Sequence, residues 1–96
     1  MDRYDIEITF PDGTVWAIDA KAVKEPHFLK ENVAREGGFP SGTYDRSFYV
    51  IPDEYAAART DYRMIINQEL ARLGDRQTRC IRLYDLKKEI RDRGKR

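Results

Sequence analysis

The segment Asp19-Ala20-Lys21 places an acid and a base two positions apart within an apolar, β-branched stretch. Side chains two apart on a strand project from the same face. The carboxylate could therefore bind a metal ion while the ammonium group touches a water molecule or a phosphate. An Asp-x-Lys triplet is common in charged chains, so its chemistry depends on what the fold places beside it.

A β-hairpin is predicted to position this triplet. Residues 4–10 and 14–22 alternate between apolar and polar side chains, and Pro11-Asp12-Gly13 lies between them. Proline presets φ for a turn, aspartate suits the next position, and glycine accepts the left-handed conformation that a three-residue loop needs. Asp12 is therefore predicted to be a turn residue at the hairpin tip, roughly 20 Å from Asp19 at 3.3 Å per residue.

The turn also fixes a register in which Phe10 faces Thr14. One face of the hairpin is then apolar, with the pairs Ile8–Trp16, Ile6–Ile18 and Tyr4–Ala20. The other face carries Asp5 opposite Asp19, with Lys21 beyond. Like charges about 5 Å apart at Cβ destabilise a hairpin unless something compensates them, and a divalent cation would do so. Glu7 shares this face, either as a ligand of a second ion or as an exposed strand acid.

The remaining chain predicts alternating helices and strands. We expect a short helix over residues 27–36 with Pro26 in its first turn, a strand over 47–51, one helix over 53–73 with a possible break at Thr60-Asp61, a strand over 78–84, and a helix over 86–93 capped by Asp85. The predicted order is ββαβαβα. This order indicates a single α/β domain spanning 1–96, with about four strands in a mixed sheet and helical crossovers.

Composition excludes several classes of protein. Lys and Arg number 18 against 17 Asp and Glu, the formal net charge is +1, and 41% of residues are apolar. A protein that binds polyanions indiscriminately, an acidic disordered tail or a low-complexity linker would have a larger net charge or a smaller apolar fraction. The charge is nevertheless uneven, at −5 over residues 1–58 and +6 over residues 59–96. The second half is either a phosphate-facing surface, with Arg79 and Arg82 as candidate contacts, or a solvated face.

Single residues limit the chemistry further. His27 is the only histidine, so a histidine metal cluster or a Ser-His-Asp triad cannot be built from this chain. Cys80 is the only cysteine and is predicted to lie in the core. No membrane-spanning run or leader is present in the sequence, and we expect a cytoplasmic protein with no membrane partner. A chain this short has a modest core, which favours a homodimer.

The hairpin resembles the catalytic motif of the PD-(D/E)xK nuclease superfamily, which has the restriction endonuclease-like fold. Arg3-Tyr4-Asp5 occupies the position of its first acid, and Asp19-Ala20-Lys21 that of its (D/E)xK triplet. The resemblance implies that Asp5, Asp19 and the carbonyl of Ala20 hold Mg²⁺ or Mn²⁺. It also implies that Lys21 assists the attacking water and the phosphate, and that the substrate is a DNA phosphodiester.

More narrowly, residues 5–19 and 44–53 resemble the endonuclease-like domain that accompanies prokaryotic PIWI proteins in bacterial defence islands. This resemblance implies a PIWI-like partner and a helicase encoded nearby. The family usually places a helix and a strand ahead of the first acid, and Asp5 is preceded by four residues here. The N-terminal layer is therefore expected to be missing, because the chain is the C-terminal part of a longer protein or because a second copy supplies that layer.

Two alternatives remain open from the sequence. The chain could be a catalytically inactive nuclease-fold module for nucleic-acid docking or complex assembly. It could also be an obligate dimer in which the carboxylates of the polar hairpin face pair with arginines across the subunit boundary.

Overall fold

The computed structural model of the protein describes residues 4–39, 42 and 44–94. Four strands form one sheet in the order β1-β2-β3-β4, and helices cover both of its faces. The predicted α/β class with a mixed sheet is confirmed. In chain order the elements are β1 (Ile6–Thr9), β2 (Val15–Ala20), α1 (Pro26–Glu36), β3 (Arg46–Ile51), α2 (Asp53–Ala58), α3 (Tyr62–Arg72), β4 (Thr78–Arg82) and α4 (Leu83–Gly94).

The hairpin forms in the predicted register over Ile6–Thr9, but the predicted pairs Tyr4–Ala20 and Asp5–Asp19 are not part of the ladder. β1 and β2 are antiparallel and pair Ile6 with Ile18, Ile8 with Trp16 and Thr9 with Val15. At the tip, the N–H of Phe10 donates to the carbonyl of Thr14, and Gly13 has a φ of 89°. Such a φ is open to glycine at little cost, so the local sequence is enough to fix the turn.

The other two strand pairs are parallel. β3 pairs with β2, aligning Tyr49 with Asp19, and β4 pairs with β3. Each parallel connection runs through helices, as such crossovers require. Helix α1 ends at Glu36 and is capped by Gly37, whose φ of 75° lets its N–H donate to the carbonyl of Ala34.

The two faces of the sheet bury different clusters. One face, which we call the α1 face, packs Tyr49, Ile51 and Cys80 against Leu29 of α1 and Ile66 of α3. The opposite face, which we call the α4 face, buries a second cluster against α4: Trp16, Ile18, Phe48, Val50, Ile81 and Leu86. The predicted core positions of Trp16, Phe48 and Cys80 are confirmed.

The prediction of one helix over 53–73 is wrong, because α2 and α3 are separate. Arg59 is extended, with φ −129° and ψ 94°. Its guanidinium binds both carboxylate oxygens of Asp61, at 3.1 and 3.2 Å, and Glu25 at 3.2 Å. This local ion pair holds the chain out of the helical conformation at the Thr60-Asp61 step, where the sequence had suggested a possible break.

The last strand and helix also meet earlier than predicted. β4 ends at Arg82, and α4 begins at Leu83, so Asp85 lies in the first turn and does not precede the helix. The N–H of Tyr84 is bound instead by Asp53 of α2, at 2.9 Å. The cap therefore comes from a residue distant in sequence. In the described part of the chain, no helix is both long and apolar enough to cross a membrane.

Candidate active site

Asp19 is the buried centre of the candidate site. It lies near the end of β2, beside Tyr49 on β3. Neighbouring residues of aligned strands project from the same face, and Tyr49 belongs to the α1 face, so Asp19 lies on that face too. Only 4% of Asp19 is exposed. An acid buried in this way needs a partner to compensate its charge.

Lys21 supplies part of that compensation. Its Nζ lies 3.3 Å from Oδ2 of Asp19, and 26% of its side chain is exposed against 6% for Asp19. The backbone of Lys21 is held in place because its N–H donates to the carbonyl of Val50 at 2.8 Å. The structure thus brings together the acid and the base of the triplet.

Asp5 joins them by a contact that regular strand pairing does not provide. The ladder ends at Ile6–Ile18, and the N–H of Asp5 also donates to the carbonyl of Ile18, at 2.9 Å. Two successive residues therefore oppose Ile18, as in a β-bulge, which re-aims side chains. The carboxylate of Asp5 consequently accepts the N–H of Ala20 at 2.8 Å. Asp5 is exposed, so the site opens to solvent on its side.

The surroundings of Asp19 raise the pKa of its carboxyl group. Burial is the main cause, the negative charges of Asp5 and Glu36 add to it, and Lys21 opposes it. Within the described residues, Oδ2 of Asp19 is buried and accepts no hydrogen bond of good geometry, and its charged neighbour is Nζ of Lys21 at 3.3 Å. Buried carboxylate oxygens are normally satisfied. This one is available to a cation.

Glu7 remains at the edge of the site. It lies opposite Ala17 and accepts a hydrogen bond of 2.6 Å from the hydroxyl of Tyr4. That bond raises the pKa of Tyr4. Glu7 is exposed and already has a hydrogen-bond partner, which favours the exposed strand acid among the two predicted roles.

Two residues near Asp19 were not anticipated from the sequence. Tyr49 is fully buried beside Asp19, and its hydroxyl donates to the carbonyl of Gly38 at 3.1 Å and contacts Glu36 at 3.4 Å. Burial raises the pKa of Tyr49, so its phenol stays protonated. Glu36 ends α1 and adds a third negative charge near Asp19. The parallel register that aligns Tyr49 with Asp19 is a long-range feature without a local signal.

A shallow cavity of about 230 Å³ lies beside Lys21, at the ends of β2 and β3. Its lining is mostly apolar, and it includes Ala20, Lys21, Ala22, Val50, Ile51, Pro52 and Leu83. Lys21 therefore connects the buried carboxylate of Asp19 with an accessible surface.

Asp12 and Cys80, which the sequence predicts to lie in the turn and in the core, have structural roles. Asp12 binds the N–H of Thr14 at 3.0 Å and the guanidinium of Arg93, which together hold the pKa of its carboxyl group well below its usual range. Its prediction as a turn residue is confirmed. Cys80 is buried and free, and burial raises its pKa to about 12.

The basic second half is partly paired with acids. Six arginines there form ion pairs with carboxylates: Arg59, Arg63, Arg72, Arg79, Arg82 and Arg93. Arg79 and Arg82, the candidate phosphate contacts, are among them. These pairs involve half of the twelve basic residues of this part of the chain, which keeps its net charge of +6.

Over residues 4–39, 42 and 44–94, no three His, Cys, Asp or Glu side chains form a group that could hold a metal ion. A cation at Asp19 would thus depend on two carboxylates, a carbonyl and water. Mg²⁺ is typically bound through one or two carboxylates and keeps several waters. The donor set fits that ion.

The model of a family described as "REase associating with pPIWI_RE" matches residues 1–96. No curated protein and no solved structure matches the chain.

Proposed function

The chain belongs to the family of REases that associate with pPIWI_RE, and from this premise we propose that it hydrolyses DNA phosphodiesters in a metal-dependent reaction. The family match and the mixed four-stranded sheet flanked by helices give it a restriction endonuclease-like fold. A nuclease function in general follows from the family. The metal, the residues and the substrate are our proposal.

The observation that carries this proposal is the unpartnered Oδ2 of Asp19. A buried acid with a raised pKa destabilises the protein when it is charged, and its surroundings add two further negative charges. Structural acids of this kind are normally given hydrogen-bond donors. A site that leaves this oxygen without a well-formed hydrogen bond, beside a second acid and with Lys21 as its only ion-pair partner in the described residues, is suited to binding a cation.

Asp19 and Asp5, with the backbone carbonyl of Ala20, would hold Mg²⁺ or Mn²⁺. When bound, such an ion lowers the pKa of a coordinated water and neutralises charge on a phosphate. Asp5 has a further task, because its hydrogen bond to Ala20 fixes the segment that joins Asp19 to Lys21. The three groups are thereby kept in one arrangement.

Lys21 is the residue that would face the substrate. Its ammonium is tethered by Asp19, while about a quarter of the side chain is exposed. From that position it can orient the attacking water and stabilise negative charge that develops on the phosphate.

The family description gives the setting. The description supports a pPIWI_RE protein as the partner of this chain. Cleavage of foreign DNA in a bacterial defence system is our further proposal for the role of that complex. The candidate phosphate contacts Arg79 and Arg82 are already ion-paired with Glu89 and Asp85. The partner would therefore contribute to substrate binding.

One observation favours the alternative of an inactive nuclease-fold module. Asp19 is 4% exposed and already has Lys21 at 3.3 Å, as in an internal ion pair. In that case the site would stabilise the fold, and the chain would serve complex assembly or nucleic-acid docking.

Calorimetric titration with Mg²⁺ and Mn²⁺ separates the two functions. A nuclease should bind either ion, Asp19→Asn should abolish binding, and Glu31→Gln, which alters an exposed acid on α1, should leave it unchanged. Equal binding by the wild type and Asp19→Asn, or none by either, would contradict a metal site at Asp19.

Cleavage of plasmid DNA by the chain in complex with its pPIWI_RE partner tests the chemistry. Lys21→Gln should lower the rate of cleavage by roughly a hundredfold or more, in the range seen for loss of an electrostatic or proton-transfer group. Lys87→Gln on the exposed surface of α4 is the matched control. Cleavage by Lys21→Gln at the wild-type rate would exclude the proposed role of this lysine.

A further inference from the structure

The two edge strands of the sheet, β4 and β1, differ in whether side chains block their outward backbone groups. Along the outer edge of β4, side-chain oxygens bind three alternate backbone N–H groups. Asp75 binds Thr78 at 3.1 Å, Asn67 binds Cys80 at 2.7 Å, and Asp85 binds Arg82 at 3.3 Å. Asn67 also donates to the carbonyl of Cys80 at 3.3 Å. This edge is closed to another strand.

The outer edge of β1 has no such protection within the described residues. In an antiparallel pair, the backbone N–H and C=O groups of successive residues point alternately towards and away from the partner strand. Because the N–H of Phe10 donates to the carbonyl of Thr14, the even-numbered residues of β1 are the ones that form backbone hydrogen bonds with β2. The N–H and C=O groups of Glu7 and Thr9 therefore point away from the sheet. Exposed strand edges of this kind are templates for pairing with another chain, and proteins commonly block them.

We propose that β1 pairs antiparallel with β1 of a second copy, joining two sheets about a two-fold axis. Only odd-numbered residues point outward, which limits the registers. Glu7 facing Glu7 of the second copy sets like charges opposite each other. Thr9 facing Thr9 of the second copy puts Glu7 against Pro11, which has no N–H. The remaining register pairs Glu7 with Thr9 of the second copy and satisfies all the outward groups at the strand centre.

This register also completes the apolar side of the hairpin. Ile6 is 51% exposed on the α4 face, an unusual position for a large apolar strand residue. Pairing Glu7 with Thr9 of the second copy sets Ile8 against Ile8 and Ile6 against Phe10 across the axis. The apolar rows of the two hairpins thereby become continuous, and the exposed Ile6 is covered.

The dimer places the two candidate sites on one face of the joined sheet. In antiparallel pairing of this kind the axis is perpendicular to the sheet, so both α1 faces are on the same side. Asp5 of one copy and Asp5 of the other are six residues apart along the strand direction, or roughly 20 Å at 3.4 Å per residue. If the proposed nuclease function holds, two sites on one side could act on the two strands of a duplex.

Sedimentation velocity over a range of protein concentrations tests the dimer directly. The wild type should show a reversible monomer–dimer equilibrium. Thr9→Pro removes an outward N–H without touching the β1–β2 hydrogen bonds, so it should give a monomer. Thr9→Val retains the N–H and is the matched control, which should dimerise like the wild type. A wild type that stays monomeric at the highest soluble concentration overturns the proposal.

Charge substitutions test the proposed pairing of Glu7 with Thr9 of the second copy, and they avoid the backbone change that a proline introduces. Thr9→Glu should weaken dimerisation roughly tenfold, because it faces Glu7 of the second copy in both symmetric pairs. Adding Glu7→Lys should restore it. A double variant as weak as Thr9→Glu alone, with circular dichroism showing folded protein, overturns this register. These readouts involve neither metal nor DNA, so they succeed or fail separately from the nuclease proposal.

Discussion

The carboxylate of Asp5 accepts a hydrogen bond from the backbone N–H of Ala20, 15 residues away, at 2.8 Å. The side chain takes the place that a strand carbonyl would occupy in a regular hairpin. An acid of the candidate site is thus also part of the hairpin's own hydrogen bonding, and its substitutions should separate the two roles.

Asp5→Ala should lower the free energy of unfolding by about 1 kcal/mol, since it removes a charge-assisted hydrogen bond at an exposed position. Asp5→Asn keeps an acceptor oxygen and should cost much less. Urea unfolding measures both. Mg²⁺ binding should weaken in both variants, so a stable Asp5→Asn protein that binds the ion as tightly as the wild type would argue against a ligand role.

Asp19→Asn should stabilise the metal-free protein by about 1 kcal/mol at neutral pH, because burial disfavours the charged carboxylate and raises its pKa, while the partner Lys21 stays partly exposed. Thermal unfolding with and without Mg²⁺ provides the measurement. The ion should raise the melting temperature of the wild type and leave that of the variant unchanged. A marked loss of stability in Asp19→Asn would instead identify the Asp19–Lys21 pair as a structural ion pair.

Asp85 should make stability depend on pH at the acidic end. Hydrogen bonds from Arg82, and the charge of Arg63, hold the pKa of its carboxyl group below the usual range. The contribution of Asp85 to the free energy of unfolding is therefore complete above its unfolded-state pKa of about 3.9. It is lost as the pH falls through the lower pKa of the folded state. Comparing urea unfolding of the wild type and Asp85→Asn, we expect a difference of about 1 kcal/mol at neutral pH that shrinks in acid. A difference that is constant with pH would contradict it.

Arg93 should stabilise the hairpin from the far end of the chain. Its guanidinium lies 4.8 Å from the centre of the Phe10 ring, 2.6 Å from the hydroxyl of Thr14, and in contact with Asp12. Arg93→Ala should cost about 1–2 kcal/mol of unfolding free energy. Arg91→Ala, on the exposed side of the same helix, is the control. Equal costs for the two variants would show that the contact contributes little.

The parts of the fold predicted from sequence are those with a local cause. The register of the hairpin follows from Pro11-Asp12-Gly13 and from alternation, so Ile6–Ile18 and Ile8–Trp16 pair as expected. The ends of α1 follow from Pro26 and Gly37. Because Asp19 lies near the end of β2 and Lys21 directly follows the strand, their proximity could also be predicted from the sequence.

The parts that were missed depend on contacts between distant segments. Nothing near Tyr49 indicates that it will align with Asp19, since a parallel register is fixed by packing across the whole sheet. The early start of α4 depends on Asp53, which is 31 residues away from Tyr84. The ion pair between Arg82 and Asp85 does not follow from the net charge of residues 59–96, because a summed charge does not show which side chains meet.

The contact between Asp12 and Arg93 joins residues 81 positions apart. During synthesis, the hairpin that carries Asp5, Asp19 and Lys21 emerges first and must wait for α4 before its tip is clamped. Contacts of such high sequence separation form late, because a long loop has to close before they do. The tip of the hairpin is therefore secured among the last events of folding, and a chain truncated before Arg93 would lack this contact while keeping those of Asp5 and Lys21.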